Sequence, residues 1–239
     1  MATLDRTETR KRNGSGVPKR VLVVAAFSQE LSSFEPRVPC HIETLYTGIG
    51  RAKTLAALRK RVLPGHYDLI VSAGFAGAAR AAMKTGDLIV ASEVIDAESG
   101  RRFVPDGLPQ GAGLIGLAGR FVTCGRPVAS PEEKARIGAR FDAAAIEMET
   151  SAAAEAAVSS GTRWCALRSI LDPMEELLAV GSVGQALRML AVPARWRDFS
   201  HFLGLMHTAR NSLAAGLVDL VSGVDTGLSN TEEKGNGSR

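Results

Sequence analysis

Two carboxylates and a thioether stand together in residues 145–157, AIEMETSAAAEAA. Small and apolar residues lead into Glu147, Met148 and Glu149, and Thr150 and Ser151 then open an alanine-rich segment of strong helical propensity. The three side chains therefore fall where an irregular or extended segment turns into a helix. First-turn N–H groups at such a point lack intrahelical partners and favour negative charge. An ionised carboxylate is an acceptor-only group, suited to gripping neighbouring hydroxyls such as the 2′ and 3′ oxygens of a ribose. Methionine beside it offers a soft apolar surface for a sugar face. A helix start whose acids merely complement the dipole has the same local sequence, so the surrounding elements must arbitrate.

Other polar candidates fall at the ends of apolar runs. Residues 21–27, VLVVAAF, read as a buried strand, and Ser28, Gln29 and Glu30 follow at its carboxyl end, with Glu30 opening a predicted helix over 30–34. Residues 68–73 predict a second buried strand, ending at Ala73 and followed by Gly74, Phe75, Ala76, Gly77 and Ala78. Small residues there let a flat ring or sugar lie against the main chain, and Phe75 either stacks on it or fills core. A strand over 163–171 ends in Asp172. The turn Thr47-Gly48-Ile49-Gly50-Arg51 feeds a helix over 53–62. It fails the dinucleotide fingerprint, because Lys53 stands where the third glycine belongs, and it lacks P-loop spacing.

The remaining elements give the frame. Residues 41–46 alternate like an exposed strand, 88–96 and 119–124 predict further strands, and 131–140 a helix with Pro131 first and acids in its opening turn. Residues 100–113, rich in Gly and Pro, predict a surface excursion or lid, and 125–131 a loop over the site. A short helix is expected over 184–191. A long amphipathic one over 195–220 carries Phe199, Phe202, Leu203, Leu205, Met206, Leu213, Leu217 and Leu220. Strands alternating with helices predict a single α/β domain with a mixed, mostly parallel central β-sheet flanked by helices on both faces. Its expected bounds are 20–221, between a disordered basic lead-in over 1–19 and a disordered tail over 222–239. Glu30, residues 74–77, Glu147–Glu149 and Asp172 all fall at predicted strand ends, and that convergence predicts a small-molecule site.

The formal net charge of +4 is concentrated early, in Arg6, Arg10, Lys11, Arg12, Lys19 and Arg20. No basic stripe interleaved with aromatics recurs later, so nucleic-acid binding is not expected. The lead-in has no apolar core and no run is long enough to span a bilayer, which predicts a cytoplasmic protein. Cys40, Cys124 and Cys165 read as reduced thiols, and neither they nor the four histidines show metal-ligand spacing. No metal or cofactor is expected.

Five pieces in order, V-V-A-A-F-S-Q-E, T-G-I-G-R-A, S-A-G-F-A-G, A-I-E-M-E-T and R-S-I-L-D, resemble the nucleoside phosphorylase/nucleosidase superfamily. With G-D-L-I-V and R-F-V-T-C-G they span Val21 to about Asp172. The match is similar to the methylthioadenosine/S-adenosylhomocysteine nucleosidase branch more than to the phosphorylases. The phosphorylases carry an arginine before the S-A-G-like piece to bind phosphate, whereas Val71-Ser72-Ala73 has none and only Arg51 is nearby. The resemblance implies a phosphorylase/hydrolase-like fold and cleavage of a purine nucleoside, of adenine type, in a homodimer. Asp172 would protonate the departing base and Glu30 would activate water. Glu149, Met148 and Glu147 would hold the ribose, while Phe75, Ala73, Gly74 and Val128 would line the pocket. Phosphate is the alternative acceptor.

Three departures from the family pattern stand out. Leu171 replaces a serine before Asp172, Pro173 follows it and removes a backbone donor, and Val128 stands where a ring-stacking phenylalanine is usual. The proline-interrupted, leucine-rich tail resembles the hopanoid-associated phosphorylase or nucleosidase that removes adenine from adenosylhopane. That likeness implies a lipidic nucleoside and peripheral contact with a membrane surface.

Overall fold

The computed structural model describes residues 20–108 except 37 and 39, residues 117–174 and residues 196–223. The lead-in, the helix expected over 184–191 and the tail beyond 223 lie outside the described residues. Strand β1 (Arg20–Ala25) is followed by a 3-10 turn (Ser28–Leu31), β2 (His41–Tyr46), α1 (Arg51–Arg61), β3 (Leu69–Ala78), β4 (Leu88–Asp96) and β5 (Arg102–Phe103). Then come β6 (Leu117–Thr123), α2 (Pro131–Phe141), β7 (Ala145–Glu147), α3 (Thr150–Ser160), β8 (Arg163–Asp172) and the long helix α4 (Trp196–Gly223).

The sheet is mixed and mostly parallel. β1 runs parallel to β2 and β3, β3 to β8, β4 to β6 and β6 to β7. Antiparallel pairs join β3 to β7, β4 to β5 and β4 to β8. These pairings close a ring, β3–β8–β4–β6–β7 and back to β3, with β1 and β2 extending from β3. The flanking-helix expectation holds, and closure adds to it a curved sheet with a protected inside.

Alternation along the buried strands decides which helix each face receives. Leu22, Val24, Ile70, Trp164, Ala166 and Ile170 form one core with Leu58 of α1 and Ala153, Ala154 and Ala157 of α3. Val21, Val23, Leu69, Val71, Cys165 and Leu167 form the other with Leu213, Leu217 and Leu220 of α4. The alanines of α3 are buried on almost every side. That suits a helix wedged between α1 and the sheet, since large side chains would hold it away. No helix among the described residues is long and apolar enough to cross a membrane.

Three local expectations are corrected. The helix over 30–34 is instead the single 3-10 turn Ser28–Leu31, because Glu30 turns back to accept the Phe27 N–H at 3.0 Å. Residues 74–77 are not beyond a strand end. They continue β3 to Ala78, paired with β8, with a register shift between Ala76 and Gly77. The last helix reaches Gly223, and only its second half is seated on the sheet: Leu203 is 48% exposed whereas Leu213, Leu217 and Leu220 are buried.

Candidate active site

Residues 72–77 of β3 form the spine of the site, and acidic groups approach it from three directions. From β1 comes Glu30, buried, whose Oε1 accepts the Phe75 N–H at 3.0 Å while Oε2 accepts that of Phe27. Gly74 makes this approach possible, since a Cβ there would lie 2.8 Å from Glu30 Oε1. Burial pushes the Glu30 carboxyl above its ordinary range, against the pull of those two amides and of Arg168.

From the opposite side comes the segment joining β7 to α3. Because β7 runs antiparallel to β3, pairing Gly77 with Ile146 and Ala78 with Ala145, it carries Glu147 back toward Ser72. Glu147 is buried and heavily engaged. Its Oε2 accepts the N–H groups of Glu149 (2.9 Å) and Thr150 (2.7 Å) and the Thr150 hydroxyl (2.7 Å), and Oε1 accepts the Thr123 hydroxyl at 2.5 Å. The fully buried Arg168 guanidinium lies 2.9 Å from the same Oε2 and also donates to Ser72 Oγ at 3.1 Å and Thr150 Oγ1 at 2.7 Å. A buried cation and anion with this many hydrogen bonds set the start of α3 firmly.

Glu149 caps α3 and is only partly buried. Its Oε1 accepts the Gly50 N–H at 2.7 Å, which ties it to the start of α1. Burial, reinforced by the neighbouring Glu147 charge and opposed by Arg168, pushes its pKa up to about 7. Met148 is half-buried beside Gly50, with Cε 4.0 Å from where a Cβ on that glycine would sit.

Asp172 ends β8, paired in register with Gly77. Its Oδ2 lies 3.7 Å from the position of a Gly77 Cβ, and the Ile146 carbonyl of β7 lies 3.9 Å from that same point. Three residue steps of β3 lead from Gly74 to Gly77, so the points at which the strand meets Glu30 and Asp172 are on the order of 10 Å apart.

One partner of Asp172 escapes a reading of the sequence. Lys134 of α2, with no exposed side-chain surface, places Nζ 2.6 Å from Asp172 Oδ2 and donates to the Pro173 carbonyl at 3.0 Å. Nothing local announces it, because P-E-E-K reads as an ordinary charged first turn. Only the docking of α2 through Gly138, whose Cα faces the Ala79 carbonyl, turns Lys134 inward.

Of the remaining expected residues, Phe75 meets an acid through its main-chain N–H, which Glu30 accepts. Ala73 points its methyl into the core beneath α4, and Phe75 is half-buried on that face. Val128, in the loop between β6 and α2, packs against a small cluster containing Cys124, Ile146 and Ile137. Arg51 is held by two acids, Nε 2.6 Å from Asp96 Oδ2 and Nη2 2.6 Å from Glu155 Oε2, and Arg101 shares Glu155. A groove of about 150 Å³ between α1 and α3 lies away from these groups.

Residues 117–190, which contain β6 through β8 and hence Glu147, Glu149 and Asp172, match the family model of the phosphorylase superfamily. No curated protein matches the chain. Among solved structures, the 5′-methylthioadenosine/S-adenosylhomocysteine nucleosidase of Neisseria meningitidis is similar at 20% identity and a TM-score of 0.67, covering 85% of this chain and 99% of its own. The adenine complex of the corresponding enzyme of Colwellia psychrerythraea is 18% identical, with a TM-score of 0.64 over 86% and 96% of the two chains. A futalosine hydrolase mutant of Helicobacter pylori is 17% identical, with a TM-score of 0.63 over 85% and 98%. At these identities the likeness establishes the fold. The match to the phosphorylase superfamily model covers residues 117–190 of the chain.

Proposed function

We propose that this protein hydrolyses the N-glycosidic bond of a purine nucleoside. The observation that carries the reading is that Glu30 and Asp172, remote in sequence, both meet residues 74–77 of one strand, while Glu149 lies near enough to feel the charges of Arg168 and Glu30. Breaking the bond builds oxocarbenium character on the sugar, so one carboxyl group must supply a proton to the base while another activates water. Asp172 serves the base and Glu30 the water. Glu149 holds the ribose hydroxyls through the oxygen that Gly50 leaves available, beside Met148. Glu147 acts at one remove, fixing the start of α3 through Arg168. Phe75, the main chain at Ala73 and Gly74, and Val128 border the ring.

Water is favoured over phosphate as acceptor, because Arg51 is already neutralised by Asp96 and Glu155. The solved relatives named for methylthioadenosine, S-adenosylhomocysteine and futalosine support purine nucleosides modified at the 5′ position. An apolar substituent would find an apolar stripe on α4. Arg210 and Asn211 of α4 contact Ser32 and Ser33, next to Glu30, and the exposed or half-buried Phe202, Leu203, Leu205 and Met206 precede them in the same helix. That stripe favours, as a second reading, a lipidic nucleoside of the adenosylhopane kind.

A panel of adenosine, methylthioadenosine, S-adenosylhomocysteine, inosine, futalosine and adenosylhopane, with and without phosphate, tests both readings by chromatography of the freed base. Base release independent of phosphate is expected, greatest for a 5′-modified adenosine. Strict dependence on phosphate would replace hydrolysis with phosphorolysis, and adenosylhopane as the best substrate would select the second reading.

A further inference from the structure

The Lys134–Asp172 pair conflicts with the simplest form of acid catalysis. A carboxyl group that protonates a leaving base must carry a proton, yet an ammonium group 2.6 Å away, with no exposed side-chain surface, favours a bare carboxylate. Among the described residues, several neighbouring charges have partners of their own. Glu147 is engaged by Arg168, Glu133 of α2 by Arg126 and Arg136, and Glu149 by the Gly50 amide, while Glu30 is held by the Phe27 and Phe75 amides. Asp87, in the turn that hydrogen-bonds Ile170, accepts the Lys84 N–H.

We propose that the acid of this site is the Lys134–Asp172 couple, with its one proton resident on Lys134 and delivered through Asp172. The inference rests on the nucleosidase reading given above. As the bond between sugar carbon and base nitrogen breaks, its electron pair passes to the base. One proton then moves in two hops, from Nζ to the carboxylate and from the resulting carboxyl group to the base. Water adds to the sugar carbon and loses a proton to Glu30, and exchange with solvent then removes that proton from Glu30 and restores the ammonium of Lys134. Lys134 never touches the substrate in this scheme. It is a positioning residue for charge and proton, acting through Asp172. Its carbonyl contact at Pro173 holds Nζ against the end of β8.

Three variants test it. In Lys134→Met the buried carboxyl group has lost its cation and takes up a proton directly. Infrared difference spectra at neutral pH should then show a protonated-carboxyl band absent from the wild type and from Lys134→Met/Asp172→Asn. Turnover of Lys134→Met should approach the wild-type rate at acid pH and fall at least tenfold as that proton is lost, about one pH unit or more below the wild-type alkaline limb. Lys134→Arg keeps the charge but binds its proton too tightly to release it, so kcat should drop about 10²–10⁴-fold with KM little changed. A purely structural lysine predicts no new band and a uniform loss at every pH in Lys134→Met, and either result would overturn the proposal. So would full turnover by Lys134→Arg. Lys134→Arg also decides the matter if Lys134→Met fails to fold. Should the wild type release no base from any nucleoside, the nucleosidase reading fails, while the infrared comparison still judges the couple.

Discussion

Glu149 shows what this site costs the fold at the scale of one residue. Its carboxyl group titrates at about 7 in the folded chain against an ordinary value of 4.5. Below about 4.5 it is protonated whether the chain is folded or not. Between about 4.5 and about 7 only the folded chain keeps the proton, so stability falls as pH rises through that window and is level above it. The full difference corresponds to about 3 kcal/mol. Glu149→Gln should therefore be more stable than the wild type by up to about that amount at pH 8, with the gain disappearing toward pH 4.5. Thermal unfolding of the two proteins across that range checks it. On the proposed role of Glu149, that gain should come with loss of nucleoside binding, the trade expected where function keeps a charge in a poor environment.

Sequence and structure agree best at this scale where chemistry is local. Glu149 and Met148 are recognisable from their place at a helix start, and the structure seats them there. Glu147 has the same local signature, yet both of its oxygens are taken up by Thr123, Thr150 and Arg168. Its buried partner lies in the later motif R-S-I-L-D, so the pairing of the two motifs becomes physical only when β7 and β8 flank β3.

Among the elements, α2 has the least obvious task. Its N-terminus is defined by Ser130, whose hydroxyl accepts the Glu133 N–H at 3.3 Å, and by Pro131 at the first position. Its inward face is Lys134 and, one turn on, Gly138. A Cβ on Gly138 would overlap the backbone carbonyl of Ala79, which cannot swing aside as a side chain could. Gly138→Ala should lift α2 from β3 and destabilise the protein by about 1–3 kcal/mol. Gly204→Ala in α4, where nothing lies within 4 Å of the added carbon, should instead stabilise it by up to about 1 kcal/mol. Denaturant midpoints of the two variants read the contrast. The periodicity of residues 131–140 marks the helix but not its depth, because a lysine on the buried face has the pattern of an exposed one. The strands were easier to find, since runs such as VLVVA and DLIV are continuous apolar stretches. The exit of β3 was not, because small residues at 74–78 look like a loop until β8 pairs with them.

For the whole molecule, alternation of strands and helices is enough to predict a mixed sheet with helices on both faces, but not its closure. Closure depends on β8 pairing with both β3 and β4, the second antiparallel, between segments some eighty residues apart. No local pattern encodes that register. Its functional consequence is direct: the reversed course of β7 brings Glu147–Glu149 alongside the strand that also meets Glu30 and Asp172. The charge network at Arg51, Asp96, Glu155 and Arg101 ties α1, α3 and the β4–β5 turn together. The central claim is that Asp172 conducts a proton to a departing purine while water attacks the sugar. Its most direct measurement is the rate of base release in phosphate-free buffer by the wild type and by Asp172→Asn, on the nucleoside the wild type cleaves best. The account predicts release by the wild type and a fall of about 10²–10⁴-fold in the variant with the nucleoside still bound. Equal rates in the two proteins, or no release by either without phosphate, would contradict it.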